Sequence, residues 1–109
     1  MSVRILIKRK VPKEKEADLL VLTTQLRALA AREPGYISGE TLKSFDKPDE
    51  FLVISTWQDA DDWNTWKAKK KRSEIQEKID TLLGEATQYE MYHYPKKIRL
   101  EDILADDSD

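Results

Sequence analysis

Cysteine is absent from this chain, and histidine occurs once, at His93. The absence of cysteine excludes disulfides, thiolate metal sites, iron–sulfur clusters and a cysteine nucleophile. Any metal site would have to be built from carboxylates, and we predict none. The three glycines are isolated, which excludes the phosphate-binding and dinucleotide-binding loops.

Long apolar runs are also missing. No stretch reaches the roughly 18 apolar residues that a membrane span needs, and the first residues, MSVRILIKRKV, do not resemble a signal peptide. We therefore expect a soluble, cytoplasmic protein with no membrane partner.

Charge is abundant but nearly balanced. Charged residues make up 37% of the 109 residues, and the net charge is -2, which gives no overall attraction to nucleic acid. The basic run 67–72 carries five positive charges in six residues. No aromatic-rich RNA-binding strand accompanies it, so we interpret it as a solvated kink and predict no nucleic-acid partner. The alternative is that the run lies at the rim of a pocket and attracts a carboxylate or a phenolate.

Hydrophobic periodicity predicts an α+β fold in one domain over residues 1–94. Val3, Ile5 and Ile7 alternate with charged residues, as on a strand with one apolar face. The predicted elements are strands at 3–11, 36–45, 50–57 and 86–94, a helix at 13–32, and a helical region at 60–82 kinked near 67–72. The order β-α-β-β-α-β is that of a ferredoxin-like, antiparallel four-stranded sheet with its helices on one face. Residues 95–109 are predicted to be an acidic, partly disordered tail.

Strand 50–57 is apolar on both faces. The helices can cover only one face of the sheet, so the other face needs a second cover. The simplest cover is the same face of a second copy. We therefore predict a homodimer.

The phrases PGYISGETLKS and DEFLVISTWQDADDWNTW, with Trp57 and Trp66 spaced as W-x8-W, resemble the antibiotic biosynthesis monooxygenase family over about residues 3–94. The resemblance implies a dimeric α+β barrel with a pocket between the helices and the sheet of each subunit. It also implies oxidation of polyketide phenols by O2 without flavin or metal, so no cofactor is expected. A haem-degrading branch belongs to the same family.

The resemblance places the key pocket side chain at Trp66. The polyketide-oxidising pattern has an Asn one turn earlier; here that position is Asp62, and the nearest amide is Asn64. The haem branch has an Asn and a ligand His at positions that here hold Lys8 and Gln76. Because Gln is a poor haem ligand, haem binding or degradation is the least favoured function.

The remaining candidates each have a structural alternative. His93 is the only side chain with an unperturbed pKa near neutrality. It could be a base for a phenol or an anthrone-like carbon acid, or a residue that faces solvent or an interface. Asp62 could be the base or simply stabilise a helix start. Tyr36 and Tyr89 could orient a ligand or pack within strands, while Trp57 and Trp63 are expected in the core.

These residues lead to a function hypothesis with one alternative. We hypothesise a cofactor-independent monooxygenase for a planar aromatic molecule, with Trp66, Asp62 and His93 as catalytic candidates. Trp66, Asn64, Tyr36 and Tyr89 are the substrate-binding candidates. The alternative is a non-catalytic dimer that binds a small ligand in the same pocket.

Overall fold

The computed structural model describes residues 1–95 together with Glu101 and Ile103. Of the predicted acidic tail, residues 95–109, the described residues include only Pro95, Glu101 and Ile103. Within the described part of the chain, no helix is long and apolar enough to cross a membrane.

The structure confirms the ferredoxin-like α+β fold. Its elements are β1 (Val3–Lys10), a short 3-10 helix (Lys13–Lys15), α1 (Glu16–Ala30), β2 (Tyr36–Lys43), β3 (Glu50–Trp57), α2 (Ala60–Lys67), α3 (Lys70–Leu83) and β4 (Glu90–Tyr92). The four strands form one sheet in the order β2-β3-β1-β4, and every neighbouring pair is antiparallel.

The predicted break in the helical region is present. It separates α2 from α3, and Lys69 between them has an extended backbone. Asp59 caps α2, since its Oδ1 accepts a hydrogen bond of 3.0 Å from the Asp62 backbone N–H. Gly84 ends α3 with a φ of 73°, a left-handed conformation that glycine adopts without steric cost.

The fourth strand is shorter than the predicted span 86–94. Only Glu90–Tyr92 pair with β1. The backbone N–H of Thr87 donates instead to Oδ1 of Asp80 at 3.2 Å. The residues before β4 are thus bonded to α3 and do not continue the sheet.

The sheet has two unequal faces. On the inner face, Val3 pairs with Trp57 and Ile7 with Val53. Val53 is partly buried and packs against the main core cluster, to which the other three residues belong. On the outer face, three apolar side chains are only half-buried: Leu6, Leu52 and Ile54. Strand 50–57 therefore presents apolar side chains on both faces, as the sequence indicated.

Candidate active site

A cavity of about 80 Å³ lies between α1, the inner face of the sheet and the two later helices. Its apolar wall consists of Ile7, Leu26, Ala30, Val53, Trp63 and Trp66. Its main polar side chains are Arg9, Arg27, Tyr36, Ser55, Arg72 and Gln76. A second space of about 250 Å³ adjoins it along α1, and both are bordered by Arg9, Thr23, Arg27, Thr41 and Val53.

Trp66 belongs to both the core and the cavity wall. It is buried near the end of α2 and stacks on Trp57, with ring centroids 6.3 Å apart and planes inclined by 26°. Trp57 is fully buried and donates from Nε1 to Oγ of Ser55 at 2.8 Å. Trp57 and Trp63 lie in the core as predicted, and Trp63 also lines the cavity, a role that was not expected from the sequence.

Tyr36 reaches the cavity because Gly39 leaves space for it. Its ring packs edge-on against Trp57 at 5.4 Å. A Cβ placed on Gly39 would lie 2.8 Å from the Tyr36 hydroxyl and 3.4 Å from Nε of Arg27. Any larger residue at position 39 would therefore push the Tyr36 hydroxyl aside, whereas Arg27 would stay in ordinary contact. The rim is completed by Arg27, whose Nη2 donates to Oγ1 of Thr41 at 2.9 Å.

Tyr89 stands behind the cavity wall rather than on it. Its hydroxyl accepts a hydrogen bond from Nη2 of Arg72, and its ring contacts Trp63 at 5.4 Å. Burial raises the pKa of the Tyr89 phenol above its ordinary value. Tyr89 is therefore a neutral group that holds Arg72 in position.

Gln76 is fixed by a polar network. Its Nε2 donates to Oδ1 of Asp80 at 2.9 Å and to Oγ1 of Thr87 at 2.6 Å, and its Oε1 lies 3.5 Å from Nη2 of Arg72. Lys8, the other residue at a haem-branch position, pairs with Leu52 on the outer face of the sheet. Neither residue is therefore disposed to bind haem in the cavity.

Arg9 is a cavity residue that the sequence interpretation missed. It follows Val3, Ile5 and Ile7 at every second position of β1 and is buried like them. Its Nε has no hydrogen-bond partner among the described residues, and burial lowers the pKa of its guanidinium. The signal was present in the period-2 pattern, because residue 9 has the parity of the buried face.

Arg72 corrects the interpretation of the basic run 67–72 as a solvated kink. The other four cations of that run are exposed, but Arg72 is 5% exposed and lines the cavity. Its Cζ lies 5.6 Å from the centre of the Trp63 ring and 5.1 Å from that of Tyr89. A run of like charges did not reveal which member points inward, because that is set by the phase of α3 against the sheet.

Three of the proposed site residues lie away from the cavity. Asn64 is exposed on α2, and His93 is exposed beyond β4, where its Nδ1 is 2.8 Å from the Tyr94 carbonyl. Asp62 is in the first turn of α2, so close to Gly35 that a Cβ there would overlap it. Partial desolvation and the neighbouring Asp59 and Asp61 raise the pKa of the Asp62 carboxyl. None of the three lines the cavity: Asn64 is exposed, Asp62 lies against Gly35, and His93 follows the short β4.

A family model for antibiotic biosynthesis monooxygenases matches residues 2–78, which is more than half of the 109 residues. The chain belongs to the antibiotic biosynthesis monooxygenase family. The matched span runs from β1 into α3 and contains all the residues named above as cavity walls. Comparison of this chain with curated protein sequences finds no match.

Solved structures share the fold at low sequence identity. A conserved protein from Methanosarcina mazei Go1 superposes with a TM-score of 0.79 at 19% identity, covering 87% of this chain and 94% of its own. A mutant of SnoaB, a cofactor-independent oxygenase from Streptomyces nogalater, gives 0.76 at 18% identity, covering 89% and 96%. Rv0793 from Mycobacterium tuberculosis gives 0.75 at 11% identity, covering 91% and 100%. The family's fold therefore extends over nearly the whole of this chain.

Proposed function

We propose that this protein is a cofactor-independent monooxygenase that oxidises a planar aromatic phenol or anthrone-like molecule with O2. The observation that carries this proposal is the cavity in which Trp63 and Trp66 form flat walls beside polar groups. Flat aromatic walls suit a planar ligand, and a few fixed polar groups orient it. The similarity in fold to SnoaB, a cofactor-independent oxygenase, and the family membership support the reaction type.

Within this proposal, two predicted residues contact the substrate directly. The Trp66 indole stacks on the aromatic ring, and the Tyr36 hydroxyl bonds to a substrate oxygen. Tyr89 is a positioning residue, because it acts through Arg72. The substrate does not contact Asp62, Asn64 or His93, since these residues do not line the cavity.

The reaction needs only the substrate and O2. The deprotonated substrate passes one electron to O2, and the resulting substrate radical and superoxide combine at the reacting carbon. The carbon-bound peroxide anion takes up a proton, which replaces the one lost from the substrate, and then loses water. A CH2 group becomes a carbonyl, one oxygen atom of O2 stays in the product and the other leaves in water. The protein contributes positioning and exclusion of solvent.

The alternative, a binding protein without catalysis, is favoured by one observation. No Asp, Glu or His is among the described residues that line the cavity, so an ordinary general base is missing at its wall. In that case the same cavity would bind the aromatic ligand and leave O2 unconsumed.

An oxygen electrode separates the two functions. We expect an anthrone or a polycyclic phenol to consume O2 in the presence of the wild-type protein, with incorporation of one atom from labelled O2 into the product. Trp66→Ala removes the stacking wall and should lose most of this activity, whereas His93→Ala should retain it. Binding without O2 consumption across a panel of such compounds would leave only the binding function.

The protein is further proposed to act as a homodimer. The half-buried apolar side chains of the outer sheet face, Leu6, Leu52 and Ile54, support this proposal. A second sheet packed face to face would cover them and close the barrel.

A further inference from the structure

The cavity is lined by three cations and by no carboxylate. Arg9, Arg27 and Arg72 contribute guanidinium groups, and no Asp or Glu is among the described lining residues. The ion pairs found in the described part of the chain are Lys43–Glu16, Lys47–Glu50 and Lys69–Glu33. None of them neutralises an arginine of the cavity.

Arg9 is the most unusual of the three. It is 6% exposed, and its buried Nε has no partner among the described residues. Asp80 attracts Arg9 electrostatically, but no hydrogen bond joins the two among the described residues. A buried charge that lacks hydrogen-bonded partners destabilises a fold, because the hydration it loses is not fully replaced. An anionic molecule bound in the cavity would supply the missing partner.

Arg72 is held rigidly by neutral groups. Its Nη1 donates to the Lys67 carbonyl at 3.3 Å, and its Nη2 donates to the hydroxyl of Tyr89. These bonds and the ring of Trp63 beneath the guanidinium fix its plane but leave its charge in place. A guanidinium carries five N–H donors in a fixed fork, so donors remain for an anionic oxygen.

Nearby acids are already engaged elsewhere. Asp80 on α3 accepts hydrogen bonds from Gln76 and Thr87. Glu16, which borders the adjoining space along α1, pairs with Lys43 at 3.2 Å. The other titratable group on the cavity wall is the phenol of Tyr36. The charge that faces a ligand in the cavity is therefore positive.

We propose that Arg9 and Arg72 form an oxyanion site that binds the aromatic substrate as its phenolate. The inference rests on the proposed function for the aromatic nature of the substrate, and it names the ionised form that the site selects. Arg27 at the rim adds to the same positive field.

This site promotes deprotonation of the substrate without a general base in the cavity wall. Positive charge within about 4–6 Å lowers the pKa of an acid by about 1–3 units, so a bound phenol loses its proton to water at a pH about 1–3 units lower than a free phenol does. The step moves one proton and no electrons. The resulting anion is the electron-rich form that can reduce O2.

The probe for this inference is p-nitrophenol, because its phenol and phenolate absorb at different wavelengths. We expect its pKa to fall by about 1–3 units when it is bound to the wild-type protein, measured by absorbance titration at saturating protein. The neutral analogue p-nitroanisole, which has the same ring and no ionisable group, is the control for the cavity itself.

Arg9→Met and Arg72→Met remove the guanidinium and its charge but keep an unbranched apolar stem of similar volume. Each should abolish the fall in the pKa of bound p-nitrophenol and weaken phenolate binding at least tenfold, while p-nitroanisole binding stays within about twofold. Arg32→Met, an exposed arginine outside the cavity, should behave as wild type. We also expect Arg9→Met to melt at the same or a higher temperature, since it removes a buried charge that Asp80 compensates only in part.

Several outcomes overturn the inference. An unchanged pKa of bound p-nitrophenol, or no binding of it to the wild-type protein, would do so. Benzoate binding more tightly than p-nitrophenolate would also do so, because the site would then recognise a carboxylate. The oxygen-electrode assay is independent of these readouts. O2 consumption without a change in the pKa of bound p-nitrophenol would refute only this inference. A change in that pKa without O2 consumption would refute only the oxygenase function.

Discussion

The indole of Trp66 lies over that of Trp57, with ring centroids 6.3 Å apart and planes inclined by 26°. Trp57 ends β3 and Trp66 lies in the last turn of α2. The stack therefore joins the sheet to the helix that follows it. Because the indole of Trp66 also borders the cavity, the position of the cavity wall depends directly on the packing of the core.

This arrangement predicts unequal costs for the two tryptophans. Trp57→Ala should lower the free energy of unfolding by about 3–5 kcal/mol, as expected for a large cavity in a closed core. Trp66→Ala should cost less, because one side of that ring already borders empty space. Chemical denaturation of the two variants measures both values, and an equal or reversed order would show that Trp66 is an ordinary core residue.

The outer face of the sheet predicts the oligomeric state. Light scattering at micromolar concentration should give a mass near twice that of one 12.7 kDa chain. Ile54→Lys places a charge among half-buried apolar side chains and should give a monomer. Val21→Lys, at an exposed apolar residue of α1, is the matched control and should remain dimeric. A monomeric wild-type protein would refute the dimer.

The polar network behind the cavity predicts a stability effect at Asp80. Its Oδ1 accepts hydrogen bonds from the side chain of Gln76 and from the hydroxyl and backbone N–H of Thr87. Asp80→Ala leaves these donors unpaired and should lower the free energy of unfolding by about 1–3 kcal/mol. Glu77→Ala, on the exposed side of the same helix, should have little effect. If thermal unfolding shows the two variants to be equally stable, the network does not hold the entry to β4.

Tyr89 predicts a pH dependence of stability. Burial raises its pKa in the folded protein above the ordinary value of 10.0, so above about pH 10 the unfolded chain loses this proton while the folded chain keeps it. The folded state then binds more protons, and the free energy of unfolding falls as pH rises. Tyr89→Phe should show a shallower fall above pH 10 in urea titrations. Tyr94→Phe, at an exposed tyrosine, is the control; the same slope in all three proteins would contradict the prediction.

The sequence determined the fold and one wall of the site. The period-2 alternation of Val3, Ile5 and Ile7 in β1 and the apolar character of strand 50–57 indicated where strands form, because such patterns express local preferences of the backbone. The resemblance around Trp57 and Trp66 was sufficient for the family. Local patterns of this kind depend only on neighbours in the chain.

The tertiary structure decided which polar residues meet at the cavity. Arg9 on β1 and Arg72 on α3 come together only because the antiparallel sheet and the kink after Lys67 set the phase of α3. The same geometry left Asp62, Asn64 and His93 outside. Charge in a sequence does not reveal burial, since a guanidinium is nearly always solvated. Only the packing of helices on the sheet shows where one is enclosed without a partner.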